Sequence, residues 1–165
     1  CTQFIMEYCM ALKEAGVNGV LIAEPAAGLL SNEACHDFSS VYVRQIVEKV
    51  QDDSFVVILH NCGNVGQCTQ AMLATGAAGY HFGNAIDMVE ALKEAPVDVL
   101  MMGNIDPVGV FKMSTPVEMY DKVTTLLNAT ASYPNFVLSS GCDTPPGVPF
   151  ENIDAFYKAL NDFNA

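Results

Sequence analysis

Hydrophobic and polar positions along the chain follow two alternating periods, one typical of helices and the other of buried strands. Short apolar runs predict five strands: Gly19–Ala23, Phe55–Leu59, Ala78–Phe82, Val97–Met102 and Asn135–Ser139. Because most of these runs are continuously apolar rather than alternating, they indicate strands that are covered on both faces.

Segments with apolar residues at helical spacing lie between these runs. They predict helices over residues 2–15, 31–50, 65–75, 86–95, 115–131 and 151–161, counting the caps. Gly16 and Gly76 end two of these helices, as glycine commonly does, and Ser31 is a favourable N-cap. The segment Thr115–Glu118 reads Thr-Pro-Val-Glu, a capping box with proline at the first helical position.

The regular alternation of strands and helices predicts an α/β fold with parallel strands and right-handed crossovers. An open nucleotide-binding sheet would carry a glycine-rich fingerprint after its first strand, and Glu24–Gly28 is not one. A complete (β/α)8 TIM barrel needs roughly 250 residues. The 165 residues therefore predict a single domain, 1–165, made of about five βα units from the C-terminal part of such a barrel, with the N-terminal units missing.

Composition and charge narrow the possible partners. The chain is 51% hydrophobic and 16% charged, which is typical of a globular protein, and no apolar run is long enough for a membrane span. A net charge of -12 repels phosphate backbones and anionic membranes, so neither nucleic acid nor a membrane is expected as a partner. Six cysteines beside an ample core indicate reduced thiols in a cytoplasmic protein rather than a disulfide scaffold.

Polar residues gather at or just after the ends of the predicted strands. Those with side chains suited to catalysis or binding are Glu24, His60, Cys62, His81, Asn104, Asp106 and Cys142. In a barrel these positions lie on the C-terminal rim, where active sites of this fold are found. Strand ends also meet turns, which are polar in any protein. Asp106 followed by Pro107 equally fits a helix cap with proline at the first helical position.

His60 and Cys62 are the strongest metal-ligand candidates. They lie two residues apart, so in extended backbone their side chains leave on the same face. Cys142 stands at a distant strand end and offers a third ligand, and zinc accepts such nitrogen and sulfur donors. Glu24 is a candidate for a fourth, displaceable ligand, whereas His81 is expected to have a core or capping role.

The same residues resemble the zinc motif of the cobalamin-dependent methyltransferases in the uroporphyrinogen decarboxylase superfamily. Besides His60-x-Cys62 with Cys142, similar stretches of that superfamily match the segments Glu24–Ala27 with Leu30–Ser31, Gly103–Pro107 and Gly141–Asn152. The resemblance implies a (β/α)8 barrel that moves a methyl group from a methylated corrinoid protein to a thiol such as coenzyme M. It also implies zinc held by the His-Cys-Cys set and a methylcobamide carried by the partner protein.

Three other residues are also expected to have roles at this site. Glu24, which stands where an aspartate is more usual, and Asp106 are expected to be catalytic, and Asn104 is expected to bind substrate. Asp106 or Asn104 is also expected to orient His60 through a hydrogen bond. None of the seven basic residues directly follows a predicted strand, so a sulfonate would find its positive partner elsewhere or the acceptor is a different thiol.

Three other interpretations fit the sequence. One is a metal-free, decarboxylase-type enzyme of the same superfamily, and another is a non-catalytic module that binds a tetrapyrrole or a partner protein. A structural zinc site is the third, provided that Glu24 is a permanent fourth ligand. Five units of a barrel leave two open sheet edges, so the chain is expected to be inactive alone. We expect either that it associates with another copy or that the rest of the enzyme was lost from this chain.

Overall fold

The computed structural model describes all residues from 1 to 165. Five parallel strands form one sheet: β1 (Gly19–Ala23), β2 (Val56–Asn61), β3 (Gly79–Phe82), β4 (Leu100–Ile105) and β5 (Phe136–Ser140). Their order in the sheet is the same as their order along the chain. Because every right-handed crossover then steps in the same direction, all helices fall on one face of the sheet, as in a barrel. A doubly wound sheet would reverse its order at a switch point.

Seven α-helices accompany the strands: α1 (Thr2–Glu14), α2 (Asn32–Cys35), α3 (Val41–Val50), α4 (Thr69–Leu73), α5 (Met88–Glu94), α6 (Pro116–Thr130) and α7 (Phe150–Asn164). A π-type turn, His36–Ser40, joins α2 to α3, so the long helix predicted after Ser31 is present with one widened turn. The Ser31 side chain accepts a hydrogen bond from the Ala34 backbone N–H, which confirms the predicted cap.

Helix α4 and strand β4 differ from their predicted bounds in ways that bear on the site. Helix α4 is shorter than expected because the buried Asn64 side chain ties down the loop before it, accepting hydrogen bonds from the backbone N–H groups of Gly66 and Cys68 at 2.9 and 3.0 Å. Strand β4 lies three residues later than predicted because Gly103 and Asn104 pair with β5. Asn104 is therefore part of a strand and not of the loop that follows it.

The two faces of the sheet have different environments. Val57, Tyr80 and Met101 point to the face covered by helices and are almost completely buried. On the opposite face Leu21 and Leu100 are 53% and 45% exposed, although both are apolar. In a closed barrel this second face is the interior, filled by side chains from every strand. The exposure of these leucines is the physical reason to expect a covering partner.

Thr115 forms the capping box predicted at the start of α6. Its hydroxyl accepts a hydrogen bond from the Glu118 N–H, and the Glu118 carboxylate accepts one from the Thr115 N–H at 2.8 Å. Thr115→Ala is expected to lower the free energy of unfolding in urea by about 1 kcal/mol. Thr125→Ala is the matched control, because the Thr125 hydroxyl bonds only to a carbonyl of its own helix. Equal losses in both variants would contradict the assignment.

Candidate metal centre

Strands β2 and β3 place two histidines side by side at their C-terminal ends. His60 and His81 are direct partners in the parallel register, and both point to the inner face of the sheet. Side chains alternate along a strand, so Leu59 and Asn61 point instead toward the helices. Both histidines are buried, at 7% and 8% exposure.

His60, Cys62 and Cys142 come together at this end of the sheet. Their metal-binding atoms all lie within 4.8 Å of one another. The His60 Nε2 atom is 3.6 Å from the Cys142 sulfur. In a tetrahedral zinc site with ordinary bond lengths, a nitrogen and a sulfur ligand are about 3.6 Å apart. The donor set therefore suits zinc, and the distance between His60 Nε2 and the Cys142 sulfur is that of two ligands of one ion.

Two glycines allow the loops of this site to approach one another. A side chain on Gly83, directly after β3, would come within 2.4 Å of the Cys62 carbonyl oxygen. A side chain on Gly141, directly before Cys142, would come within 2.7 Å of the Asn84 backbone nitrogen. Sequence reasoning missed both positions, because nothing local in the sequence distinguishes a packing glycine from a turn glycine.

The Cys62 thiol favours its neutral form when no metal is bound. Burial raises the pKa of the Cys62 thiol, and the neighbouring Cys142 raises it further. Both causes disfavour a second negative charge in a confined space. A divalent cation would reverse this preference, because it attracts the two thiolates that otherwise repel each other.

His81 is the hydrogen-bond partner of His60, and sequence reasoning missed this role. The two Nδ1 atoms are 2.7 Å apart, and His60 Nδ1 is also 3.1 Å from the His81 carbonyl oxygen. Burial lowers the pKa of His81, and the nearby His60 lowers it further. The available signal was a histidine near the C-terminal end of each of two consecutive predicted strands.

The expected orienting role of Asp106 or Asn104 is wrong. Asp106 accepts hydrogen bonds from the N–H groups of Val108 and Gly109, both at 2.8 Å, and so caps the helical turn Pro107–Lys112. The Asn104 amide donates to the carbonyl oxygens of two residues in the loop after β3. Neither side chain hydrogen-bonds to His60, because each satisfies local backbone groups.

Glu24 lies beside the site but outside the group of three donors. Its carboxylate accepts a 2.6 Å hydrogen bond from the Ser39 hydroxyl, in the widened turn before α3. Burial raises the pKa of the Glu24 carboxyl, and the hydrogen bond from Ser39 partly opposes this rise. The side chain therefore has a partner of its own, whereas its backbone N–H bonds to the His60 carbonyl oxygen at 2.9 Å.

The three metal-donor residues, His60, Cys62 and Cys142, line a cleft with a volume of about 540 Å³. Its walls are formed by Leu21, Ala23, Pro25, His60, Cys62, His81, Met102, Ser139, Ser140, Cys142, Asp143 and Thr144. The wall is mostly neutral, with one carboxylate and no lysine or arginine. Neither Asn104 nor Asp106 lines the cleft.

No helix of the protein combines the length and apolar character that crossing a membrane requires.

Parallel βα units with reactive side chains at the carboxyl ends of the strands are typical of (β/α)8 barrel enzymes. The family model for uroporphyrinogen decarboxylase (URO-D) matches residues 1–163, and the chain belongs to this family. It is 24% identical over 165 residues to the methylcobamide:CoM methyltransferase MtbA of Methanosarcina acetivorans, covering 99% of the chain and 47% of that protein. It is 26% identical over 164 residues to a uroporphyrinogen decarboxylase of Pseudoalteromonas translucida, covering 98% and 46%.

A solved structure gives the same fold. A methyltransferase from Methanosarcina mazei superposes with a TM-score of 0.86 at 24% identity, covering 99% of this chain and 48% of that one. The chain thus spans about half the length of the curated relatives it matches. These findings confirm the predicted superfamily and the predicted part of a (β/α)8 barrel.

Proposed function

We propose that this chain is the metal-binding part of a zinc-dependent methyltransferase, which moves a methyl group from a methylated corrinoid protein to a thiol. The observation that carries the proposal is the gathering of His60, Cys62 and Cys142 donors within 4.8 Å on the rim of the barrel. Similarity to a protein named methylcobamide:CoM methyltransferase supports the donor and the acceptor class.

The ligand number favours a catalytic zinc site over a structural one. Structural zinc is closed by four protein ligands, whereas catalytic zinc keeps one position for substrate. Three donors converge here, and the fourth candidate, Glu24, is engaged by the Ser39 hydroxyl. The cleft provides the space through which a small thiol would reach the remaining position.

A zinc ion held by these residues would supply the positive charge that ionises a substrate thiol, which is a weak nucleophile until it is deprotonated. Cys62 and Cys142, both as thiolates, would place two negative charges beside the substrate sulfur and keep it electron-rich. Such a site suits attack on a methyl carbon better than activation of water, for which sites richer in histidine are common.

The neutral wall of the cleft bears on the choice of acceptor. A sulfonate would favour a cation or a helix N-terminus near its oxygens, and the only charged wall residue in this chain is Asp143. Either the remaining units of the barrel supply the cation, or the acceptor is a thiol without a strong anion.

The catalytic roles of Glu24 and Asp106 and the substrate-binding role of Asn104 stay predictions. The need for reduced thiols fits a cytoplasmic enzyme.

The test is methyl transfer by a hybrid that joins these 165 residues to the remaining barrel units of the Methanosarcina acetivorans relative. Methylcobalamin and coenzyme M are supplied with zinc, and the methylated thiol is measured. We expect turnover by the hybrid, and a fall of at least about 100-fold in Cys62→Ser. The substitution weakens zinc binding, and it also removes the negative charge of one thiolate from the site. The 165-residue chain alone is expected to be inactive.

Cys1→Ser is the matched control, because Cys1 is exposed and lies outside the site. Turnover unaffected by Cys62→Ser would contradict the proposal. A folded hybrid that binds no metal and decarboxylates uroporphyrinogen would favour the decarboxylase alternative. A folded hybrid without either activity would favour a binding module.

A further inference from the structure

The hydrogen bonds around His81 determine which of its ring nitrogens carries a proton. His81 Nε2 lies 2.8 Å from the Ser140 carbonyl oxygen, which can only accept. Nε2 therefore carries the proton and donates it. In neutral His81 this leaves Nδ1 as an acceptor, because a neutral imidazole has one donor and one acceptor nitrogen.

The same reasoning then applies to His60. Its Nδ1 atom faces two acceptors, His81 Nδ1 at 2.7 Å and the His81 carbonyl oxygen at 3.1 Å. Nδ1 of His60 must therefore carry the proton. The lone pair of His60 is left on Nε2, which is the atom that lies 3.6 Å from the Cys142 sulfur.

We propose that His81 is a positioning residue that holds His60 in the Nδ1–H tautomer and so directs the Nε2 lone pair toward the metal position. This inference rests on the zinc site proposed above and extends it by one residue. Metal-binding histidines generally donate their second N–H to a fixed partner, which sets the ring orientation and raises the basicity of the ligand. Here that partner is a second histidine on the neighbouring strand.

His81 also connects the two parts of the ligand set. It stands on β3 next to His60, and through Nε2 it reaches past β4 to Ser139 and Ser140 at the end of β5. The Ser140 hydroxyl in turn bonds to the carbonyl oxygen of Cys142 at 2.8 Å. One side chain thus links the strand that carries the nitrogen ligand to the loop that carries a sulfur ligand.

Zinc affinity of the protein, measured by competition with a chelator, tests the inference without any enzyme assay. His81→Leu removes both ring nitrogens at similar volume, and we expect about a 10-fold to 100-fold loss of zinc affinity. His81→Gln restores an acceptor toward His60 and a donor toward Ser140, so its affinity is expected within about threefold of the unmodified protein. His36→Leu, at an exposed histidine outside the site, is the matched control and is expected to change nothing.

A second measurement does not require the variants to fold. Long-range proton–nitrogen NMR on the metal-free protein at pH 8 distinguishes the tautomers of the two rings. We expect the Nδ1–H form for His60 and the Nε2–H form for His81. The opposite tautomers would overturn the inference, and so would a folded His81→Leu variant with unchanged zinc affinity. Absence of zinc binding by the unmodified protein would instead count against the proposed function, and the tautomers would still decide the role of His81.

Discussion

Replacing Cys142 with alanine is expected to remove zinc from the protein almost entirely. A complete protein site for zinc contributes about 10–16 kcal/mol, so one of its ligands accounts for about 3 kcal/mol, or about a 100-fold change in affinity. Loss of the Cys142 sulfur also leaves only two protein donors, His60 and Cys62, from the original group. Such a pair is too weak to keep zinc through dialysis against a chelator.

Elemental analysis of dialysed, reduced protein measures this directly. We expect about one zinc per chain in the unmodified protein and less than about one tenth of that in Cys142→Ala. Cys1→Ala removes an exposed thiol and serves as the control for non-specific binding by cysteine. Equal zinc in Cys142→Ala and Cys1→Ala would show that this site does not hold the metal. No zinc in any of the proteins after zinc is added back would favour the decarboxylase alternative.

Zinc affinity is also expected to rise steeply with pH. Zinc binds the thiolate, so each cysteine ligand must release its proton when the metal enters. Each proton that a thiol releases on zinc binding makes the apparent affinity rise about 10-fold per pH unit, as long as the pH is below the thiol pKa. Two released protons therefore give a rise of about 100-fold per pH unit. Burial and the neighbouring Cys142 raise the pKa of Cys62, so protonation competes with zinc up to a higher pH than at an exposed thiol. The affinity therefore increases as the pH rises and does not decrease.

Competition titrations between pH 7 and pH 8 measure this slope. Cys62→His is the matched variant, because it keeps a zinc ligand but removes one of the two thiol protons. Its affinity is expected to change only about 10-fold per pH unit. A slope in the unmodified protein as shallow as in Cys62→His would mean that only one of the two cysteines binds zinc.

Together the two results would separate the methyltransferase from its relatives of the decarboxylase kind. The identities do not make this choice, since the methyltransferase and decarboxylase relatives match at 24% and 26% over nearly the same residues. The choice between these two depends on whether the His-Cys-Cys group holds a metal, because the decarboxylase alternative gives the two cysteines no role. Metal content is therefore more informative about this chain than its degree of similarity.

Much of the fold could be predicted from the sequence, because local burial leaves a local pattern. The strands are apolar over their length, and the capping residues Ser31 and Thr115 mark helix starts through hydrogen bonds that span only three residues. The spacing of His60 and Cys62 likewise sets their common face without any tertiary information. Cys142 could be added because strand ends in a parallel barrel share one rim.

The tertiary structure decided which polar side chains come together as metal-donor candidates. Three other polar residues also stand at strand ends, but their side chains have partners elsewhere. Asp106 caps a helical turn, Asn104 donates to a loop carbonyl, and Glu24 accepts from the Ser39 hydroxyl. A polar residue bonds to whichever partner the folded chain brings nearest, and the sequence does not show that partner. Each assignment thus depended on contacts rather than on residue type.

The sequence by itself determined the elements, the class of fold and the three residues most suited to hold a metal. Only the tertiary structure decided the pairing of His60 with His81, which are 21 residues apart, and the approach of Cys142 to His60 across 82 residues. Strand register and loop contacts arise from packing between distant segments, where a shift of one residue reverses the side chains. Local periodicity does not by itself specify which residues of two strands are paired, so the partner of the histidine ligand was recognised only in the folded protein.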